Sequence, residues 1–451
     1  MASSFLDRQG TVAPPGYNRF LVPPAALAVH LSIGQAYAFS TFNLPLTRLI
    51  GLRASAPGDW DLKEVGWIFS IAIAVLGSSA AVFGRWVERV GPRKSMFTAA
   101  LSFAGGFMVS AYGIHVHQLW LLYLGYGVLG GCGLGIGYIS PVSTLIKWFP
   151  DRPGMATGLA IMGFGGGALV AAPLSLLLME HFKSANSNGV LETFVTMGVI
   201  YFMFMMIGVY AVRVPAPDWK PDGWTSPVQP KQLVTQANVA VDLAWRTPQF
   251  WLLWGVLCMN VTAGIGVLGQ ASPMIQEIFS GRVSPAAAAG FVGLLSLFNM
   301  GGRFFWATTS DYIGRRNTYL LFFVLGMLLY AAVPTLGHLG SRPLFVAAFC
   351  IILSMYGGGF ATIPAYLRDM FGTLHIGAIH GRLLTAWSVA GVLGPVLVNY
   401  IRQFQIDSGV PKAQAYSVTM YIMCGLLLIG FLCNLAMRPV NEKHFFRGTP
   451  S

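Results

Sequence analysis

The sequence predicts an all-α membrane protein with twelve transmembrane helices in two six-helix, pseudo-symmetric bundles. Three observations lead to this prediction. Hydrophobic residues fill 55% of the 451 positions and charged residues only 10%, which is not the composition of a soluble domain. Apolar runs of about 20 residues, the length that crosses a bilayer as a helix, recur along the chain. Several landmark residues also recur at one fixed offset of 223 positions.

The predicted membrane spans occupy most of the chain. They lie at 20–46, 64–85, 96–114, 119–146, 154–178, 191–213, 248–270, 286–309, 318–337, 343–367, 383–401 and 415–437. The opening stretch, MASSFLDRQGTVAPPGYNRF, lacks the basic region, short apolar core and cleavage site of a secretory signal, so we expect the first span to stay attached. The predicted parts are an N-terminal tail, a helical bundle, a linker, a second bundle and a C-terminal tail, at 1–19, 20–213, 214–247, 248–437 and 438–451.

The distribution of positive charge predicts the orientation of the chain. With the N-terminus inside, 19 of the 28 Lys and Arg residues fall in cytoplasmic segments, 8 fall on the opposite side, and Arg303 alone falls within the membrane. This bias and contact with anionic headgroups account for the net charge of +12 without a nucleic-acid partner. We therefore expect a multi-pass protein of the plasma membrane, or of the inner membrane in a bacterium, with both termini cytoplasmic.

A polar break separates the sixth and seventh spans. The stretch RVPAPDWKPDGWTSPVQPKQ contains five prolines and several charges, which predicts a cytoplasmic linker. After it, Thr247 is placed to cap the seventh helix and Pro248 to occupy its first position, where a missing N–H costs nothing.

The repeated landmarks indicate two parallel copies of one six-helix unit. At the offset of 223, the matched pairs are Glu88 with Asp311, Gly91 with Gly314, Arg93 with Arg316, Gly135 with Gly358, Pro141 with Pro364, and Gly158 with Gly381. Two such copies joined by a linker predict a transporter that rocks one half against the other around a site at the membrane midplane. We expect it to work as a monomer.

Two loop segments carry a family resemblance. GRWVERVGPRK, after the second span, and its copy SDYIGRRN, after the eighth, resemble the loop signature of the major facilitator superfamily, although Glu88 and Pro92 depart from the usual pattern. The resemblance implies the major facilitator fold and a conformational latch built from acidic residues, glycine turns and basic residues. The implied latch residues are Gly84, Glu88, Gly91, Arg93, Asp311, Gly314 and Arg316.

Two longer stretches narrow the resemblance. GIGYISPVSTLIKWFPDRPGMATGLAIMGFGGGA, at 135–168, and DMFGTLHIGAIHGRLLTAWSVAGVLGP, at 369–395, are similar to the oxalate:formate antiporter family, which is related to the monocarboxylate transporters. The resemblance implies a small organic acid anion as the substrate.

Arg303 is the leading candidate for the anion site. All sixteen Asp and Glu residues lie outside the spans or at their edges, so the charge of Arg303 stands out within an apolar run. In a structural role, the side chain would snorkel to the cytoplasmic interface or bond helix-end carbonyls. It would then have to span about 12 Å, the distance along the helix from Arg303 to Asp311 at 1.5 Å per residue. A guanidinium matches a carboxylate with two parallel hydrogen bonds, and Ala80 holds the repeat-equivalent position. We therefore predict that Arg303 binds the substrate carboxylate, as the family resemblance also implies.

Other polar and aromatic residues are weaker candidates, since each is also compatible with ordinary helix packing. The candidates for binding are Gln35, Tyr37, Tyr138, Tyr356, Trp387 and Asn299. Asn299 lies one turn before Arg303, where the related monocarboxylate carriers often have an acidic residue, which puts their proton route in doubt for this chain.

The coupling mode stays open between proton symport and anion exchange. His30, about ten residues into the first span, is a possible proton carrier, or a neutral histidine that only packs. The resemblance implies a lysine on the eleventh helix for a dicarboxylate exchanger, but no lysine lies between Arg382 and Arg402. A single fixed cation favours a monocarboxylate such as lactate, pyruvate or formate over oxalate.

Other classes of function receive less support. The spans contain no nucleophile with a base, no acid–base pair and no metal cluster, and the chain has no GxxxxGK[ST] phosphate loop, so we predict neither an enzyme nor an ATP-driven pump, and no cofactor. The five cysteines all fall inside spans and form no close pair. A membrane sensor that binds an organic acid without moving it remains an alternative.

Overall fold

A computed structural model describes residues 5–217, 219–224, 233–235 and 237–445. Parts of the predicted tails and linker, at 1–4, 218, 225–232, 236 and 446–451, lie outside these residues. Within the described ranges, twelve helices are long and apolar enough to cross a membrane. They are α1 (Arg19–Ala38), α2 (Leu62–Val90), α3 (Pro92–His115), α4 (Leu119–Trp148), α5 (Pro153–Phe182), α6 (Val190–Ala211), α7 (Pro248–Ile278), α8 (Pro285–Ile313), α9 (Arg315–His338), α10 (Arg342–Phe371), α11 (Ile376–Asp407) and α12 (Ser417–Leu435).

The helix starts follow local capping chemistry. Thr247 caps α7 as its sequence predicts, because its side chain accepts a hydrogen bond from the N–H of Phe250 at 3.3 Å. Ser284 caps α8 in the same way, by accepting from the N–H of Ala287 at 3.2 Å. These side chains satisfy backbone donors that the first helical turn leaves without an intrahelical partner.

Three helices are irregular. After Ile33, α1 continues as tighter 3₁₀ turns over Gly34–Ala38, which are followed by a short helix, Ser40–Leu46. α4 contains a π-helical stretch, Tyr123–Gly130, and α11 is divided into Ile376–Leu383 and Thr385–Asp407. Such interruptions change the direction in which the following side chains project.

The chain forms two compact units. Unit 1 consists of Met1–Asp151, Gly163–Trp224 and His380–Thr385; unit 2 consists of Arg152–Met162, Thr225–Ile379 and Ala386–Ser451. These units differ from the predicted halves because the first turns of α5 pack with the second half of the chain and a short piece of α11 packs with the first. The reason is close backbone packing at two glycines. A side chain on Gly158 would meet the carbonyl oxygen of Arg303 at 2.9 Å, and one on Gly381 would meet the backbone of Ala80.

Each unit pairs its helices in the same way. In unit 1, α2 packs on α4, α3 packs on α4 and α6, and α1 packs on α6. In unit 2, the same pairs recur six helices later, since α8 packs on α10, α9 on α10 and α12, and α7 on α12. The glycine contacts repeat as well. Gly158 contacts Arg303 in unit 2, and Gly381 contacts Ala80 in unit 1. The two glycines are 223 residues apart, and so are the two residues that they contact.

The loop between α1 and α2 is organised by one carboxylate. Asp59 accepts hydrogen bonds from the N–H groups of Ile50 at 2.8 Å, Gly51 at 3.0 Å and Ala56 at 2.9 Å. Partial burial opposes the charge of Asp59, but these N–H groups favour it, so the pKa of Asp59 falls below its ordinary value.

The lowered pKa predicts that acid loosens this loop. Stabilisation by Asp59 is complete above the ordinary aspartate range of about 4 and is lost as the pH falls through the lower pKa of the folded protein. We expect faster proteolysis within residues 47–61 as the pH drops through that window, measured by limited digestion with an acid-active protease. Asp59→Asn should remove most of the pH dependence. An unchanged acid profile in that variant would contradict the assignment.

Candidate substrate site

Arg303 lies fully buried on α8, with 0% of its surface exposed. The preceding Gly302 allows α8 to approach α10 closely, since a side chain there would meet the Cα of Ser354 at 2.6 Å. The helix contact therefore fixes the backbone that carries Arg303 and directs its guanidinium toward Phe360 of α10, whose ring centroid lies 5.4 Å from the guanidinium carbon.

Two neutral oxygens accept hydrogen bonds from this guanidinium within unit 2. Its Nε donates to Oδ1 of Asn299 at 3.3 Å, and one terminal nitrogen donates to the carbonyl oxygen of Ile161 at 3.2 Å. This acceptor is not one of the helix-end carbonyls considered for a structural role of Arg303, because Ile161 lies inside α5, and the side chain of Arg303 is not exposed to solvent. Neutral acceptors solvate a cation without cancelling its charge.

An aromatic wall adjoins Arg303. Phe360 contacts Tyr356 at 5.3 Å and Trp387 at 4.5 Å between ring centroids, and all three side chains are buried. Phe360 thus connects Arg303 with Tyr356 and Trp387, and Asn299 joins them through its hydrogen bond to Arg303, so four of the predicted residues lie in one cluster. Sequence reasoning missed Phe360, although its position four residues after Tyr356 places both on one face of α10.

A second cluster of predicted residues lies in unit 1. Tyr37 and Tyr138 both contact the ring of Phe164, at 5.0 Å and 5.5 Å between centroids. Gln35 is not part of this cluster, since its amide oxygen accepts a hydrogen bond from the hydroxyl of Tyr126 at 2.8 Å. The 3₁₀ turns at Gly34–Ala38 separate the directions of Gln35 and Tyr37.

The structure places a second buried histidine beside the predicted His30. His380 is also buried in a membrane helix, and its ring lies 5.8 Å from that of Tyr138. His30 stacks on the same tyrosine at 5.2 Å and bonds its backbone oxygen through Nε2 at 3.1 Å. The predicted eleventh span began at residue 383, whereas α11 begins at Ile376, so His380 was placed outside the membrane.

The predicted latch residues of the first repeat lie at one end of α2 and α3. Gly91 adopts the left-handed region, with φ of 83°, where a side chain is strained, while Gly84 is buried in α2. Glu88 pairs with Lys147 at 3.3 Å. Arg93 donates to the backbone oxygens of Phe5, Gly10 and Val212, at 2.9, 3.2 and 3.4 Å. These bonds bring together the N-terminal tail and the end of α6.

The second repeat builds a more buried ion network. Gly314 matches the turn of Gly91, with φ of 88°. Asp311 accepts from the N–H groups of Gly154 and Met155, at 2.9 and 2.8 Å, and so caps α5. Arg315 pairs with Asp311 at 2.5 Å and with Asp369 at 3.2 Å. Sequence reasoning chose Arg316 instead, which donates to the carbonyl oxygen of Leu435 at 2.8 Å and ties α9 to the end of α12.

The described residues contain no group of three or more His, Cys, Asp or Glu side chains that could hold a metal ion. The arrangement as a whole offers a buried cation beside aromatic surface, which suits an organic anion.

Comparison with known proteins identifies the family. The sequence model of the Major Facilitator Superfamily matches residues 18–395. The chain belongs to this superfamily.

Several curated relatives are named as carriers of small organic acids. The Oxalobacter formigenes oxalate:formate antiporter is 28% identical over 382 residues, which cover 84% of each chain. The Toxoplasma gondii apicoplast pyruvate carrier 1 is 22% identical and covers 87% of this chain and 79% of its own length. Human monocarboxylate transporter 11 is 24% identical, with 81% and 75% covered.

Solved structures support the major facilitator fold. The Escherichia coli fucose:proton symporter FucP matches with a TM-score of 0.65 at 13% identity and covers 92% of this chain and 98% of its own. The proton:xylose symporter XylE matches with a TM-score of 0.66 at 15% identity, with 92% and 95% covered. The relatives and the fold are those of membrane transporters and not of enzymes.

Proposed function

We propose that this superfamily member carries a small monocarboxylate, such as lactate, pyruvate or formate, by alternating access. Its coupling is either proton symport or anion exchange, and it works as a monomer in the plasma membrane with both termini cytoplasmic. The position of Arg303 carries the proposal: a permanently charged guanidinium is fully buried beside the aromatic ring of Phe360.

A substrate carboxylate complements this position. Burying a cation costs several kcal/mol, and an anion offsets that cost by forming charge-assisted hydrogen bonds to the planar guanidinium. The aromatic wall of Tyr356, Phe360 and Trp387 provides apolar contact for a short carbon chain. The named cargoes of the curated relatives, formate, pyruvate and monocarboxylates, belong to the same chemical class.

Transport in proteoliposomes tests the proposal. Purified protein should take up labelled lactate, pyruvate or formate well above protein-free liposomes, either when a pH gradient is imposed or when the same acid is loaded inside. Unlabelled monocarboxylates should compete strongly and oxalate weakly. The reason is that α11 has no lysine between Arg382 and Arg402 that could bind a second carboxylate. Failure of all three acids to cross would contradict the proposal.

A dicarboxylate antiporter is the second candidate, favoured by the 28% identity to the oxalate:formate antiporter. It predicts that oxalate competes best and exchanges for formate. A sensor predicts that the acids stabilise the purified protein thermally without any flux.

A further inference from the structure

Two histidines of unit 1 lie against one tyrosine in the interior of the protein. His30 on α1 is 0% exposed and stacks on the ring of Tyr138 with an interplanar angle of 15°. His380 on α11 is 1% exposed and lies 5.8 Å from the same ring. Fully buried imidazoles are uncommon, and in a membrane protein a buried ionisable group indicates a functional site.

The hydrogen bonding defines the tautomer of neutral His30 and leaves one nitrogen of His380 to accept a proton. The carbonyl oxygen of Tyr138 only accepts, so Nε2 of His30 carries a hydrogen and neutral His30 keeps its lone pair on Nδ1. Nε2 of His380 is buried and has no hydrogen-bond partner among the residues that the structure describes. In the tautomer that carries its hydrogen on Nδ1, this Nε2 has a lone pair ready to accept a proton.

The internal repeat shows that His380 is not required by the scaffold. Thr157 and Ala361 are the repeat equivalents of His380 and Tyr138, each at the offset of 223 residues. The hydroxyl of Thr157 donates to the carbonyl oxygen of Ala361 at 2.7 Å, so a small, satisfied side chain fills the corresponding place. The second copy has a titratable ring there instead, just as Arg303 replaces the equivalent of Ala80.

Several elements of unit 1 meet the pair. Tyr138 faces both imidazoles from α4, and a charge on His30 would oppose a charge on His380. α2 meets α11 at the backbone of Ala80, beside Gly381, and α5 meets His30 at Gly163. The nearest charge along α11 is Arg382, two residues after His380.

We propose that His30 and His380 form one binding site for the coupling proton, which makes the carrier a proton–monocarboxylate symporter. This inference rests on the proposed function. A proton adds to Nε2 of His380 to form an imidazolium and leaves again on the other side of the membrane. Two imidazolium ions in one buried cluster repel each other, so the pair binds a single proton. That proton balances the single negative charge of a monocarboxylate, while Arg303 stays charged throughout.

Proton movement driven by lactate tests the site. Liposomes that contain the purified carrier and a trapped pH-sensitive dye receive an external lactate gradient, and the passive rate of protein-free liposomes is subtracted. Lactate–lactate exchange at equal pH is measured in parallel, because exchange requires no net proton movement. The variants are His380→Thr, which follows the repeat-equivalent Thr157, together with His380→Gln and His30→Gln. His115→Gln, at an exposed histidine, is the matched control.

We expect His380→Thr and His380→Gln to lower lactate-driven proton movement about tenfold or more while exchange stays near the wild-type rate. His30→Gln should move in the same direction and His115→Gln should not. Thermal unfolding of each variant identifies a protein that has merely lost its fold, and the two replacements of His380 differ in size so that one can fail to fold without ending the test.

Each other outcome contradicts a distinct claim. A wild-type carrier that exchanges lactate but moves no proton overturns the proton site and leaves the proposed function intact. Folded variants that keep full proton coupling overturn the site as well. A wild-type protein that neither exchanges nor accumulates lactate, pyruvate or formate contradicts the proposed function itself.

Discussion

Arg303→Ala is expected to abolish substrate binding, and Arg303→Lys to fail nearly as badly. Loss of one buried charge-assisted pair costs about 2–5 kcal/mol, which raises an apparent dissociation constant about thirtyfold or more. Lysine keeps a charge but loses the planar fork, so it cannot reproduce both the bonds to Asn299 and Ile161 and those to a carboxylate.

Folding should survive these changes. Removing the guanidinium takes one donor from Oδ1 of Asn299, at a cost of about 1–3 kcal/mol, while the carbonyl oxygen of Ile161 keeps its bond within helix α5, and the change also removes the cost of burying a cation. The measurement is thermal stabilisation of the purified proteins by lactate, pyruvate and formate, with uptake in liposomes. Arg282→Ala changes an exposed arginine of the same half and serves as the control. Wild-type binding by Arg303→Ala would show that the arginine is structural and that the anion binds elsewhere.

Asp311→Asn is expected to have the second largest effect, on stability and on the rate of transport. Asp311 and Arg315 have side chains 9% and 7% exposed, and breaking a buried ion pair from one side costs about 3–5 kcal/mol. The change also weakens the cap that Asp311 gives to the N–H groups of Gly154 and Met155 at the start of α5. Because the sequence predicts that Asp311 belongs to a latch outside the substrate site, we expect turnover to fall more than substrate affinity.

Differential scanning of unfolding, substrate-induced stabilisation and uptake rates separate these effects. Glu180→Gln is the control, because Glu180 pairs with Lys183 on an exposed helix turn, where such pairs contribute less than about 1 kcal/mol. The repeat-related Glu88→Gln should likewise slow transport more than it weakens binding. A folded Asp311→Asn protein that no longer binds any acid would place the substrate site at this network.

The sequence alone determined the class of the protein, its twelve helices and its internal repeat. It also showed that one arginine, Arg303, lies within an apolar span. These features depend on local composition: an apolar run long enough to span the bilayer forms a helix because no water is present to satisfy an exposed backbone. A charge within such a run is conspicuous in the sequence whatever its neighbours are. The family resemblance and the comparisons agree at this level.

The contacts around each side chain were decided only by the tertiary structure. Phe360 lies beside Arg303 because α8 and α10 approach closely at glycines, a contact between helices that no helical period reveals. Gln35 turns to Tyr126 because α1 tightens into 3₁₀ turns after Ile33, and that changes the projection of every later side chain. His380 enters the interior because α11 starts seven residues before the predicted span and Gly381 packs on the backbone at Ala80. Hydrophobicity specifies that a helix crosses the membrane, but the rotation of that helix about its axis is specified by packing against its neighbours.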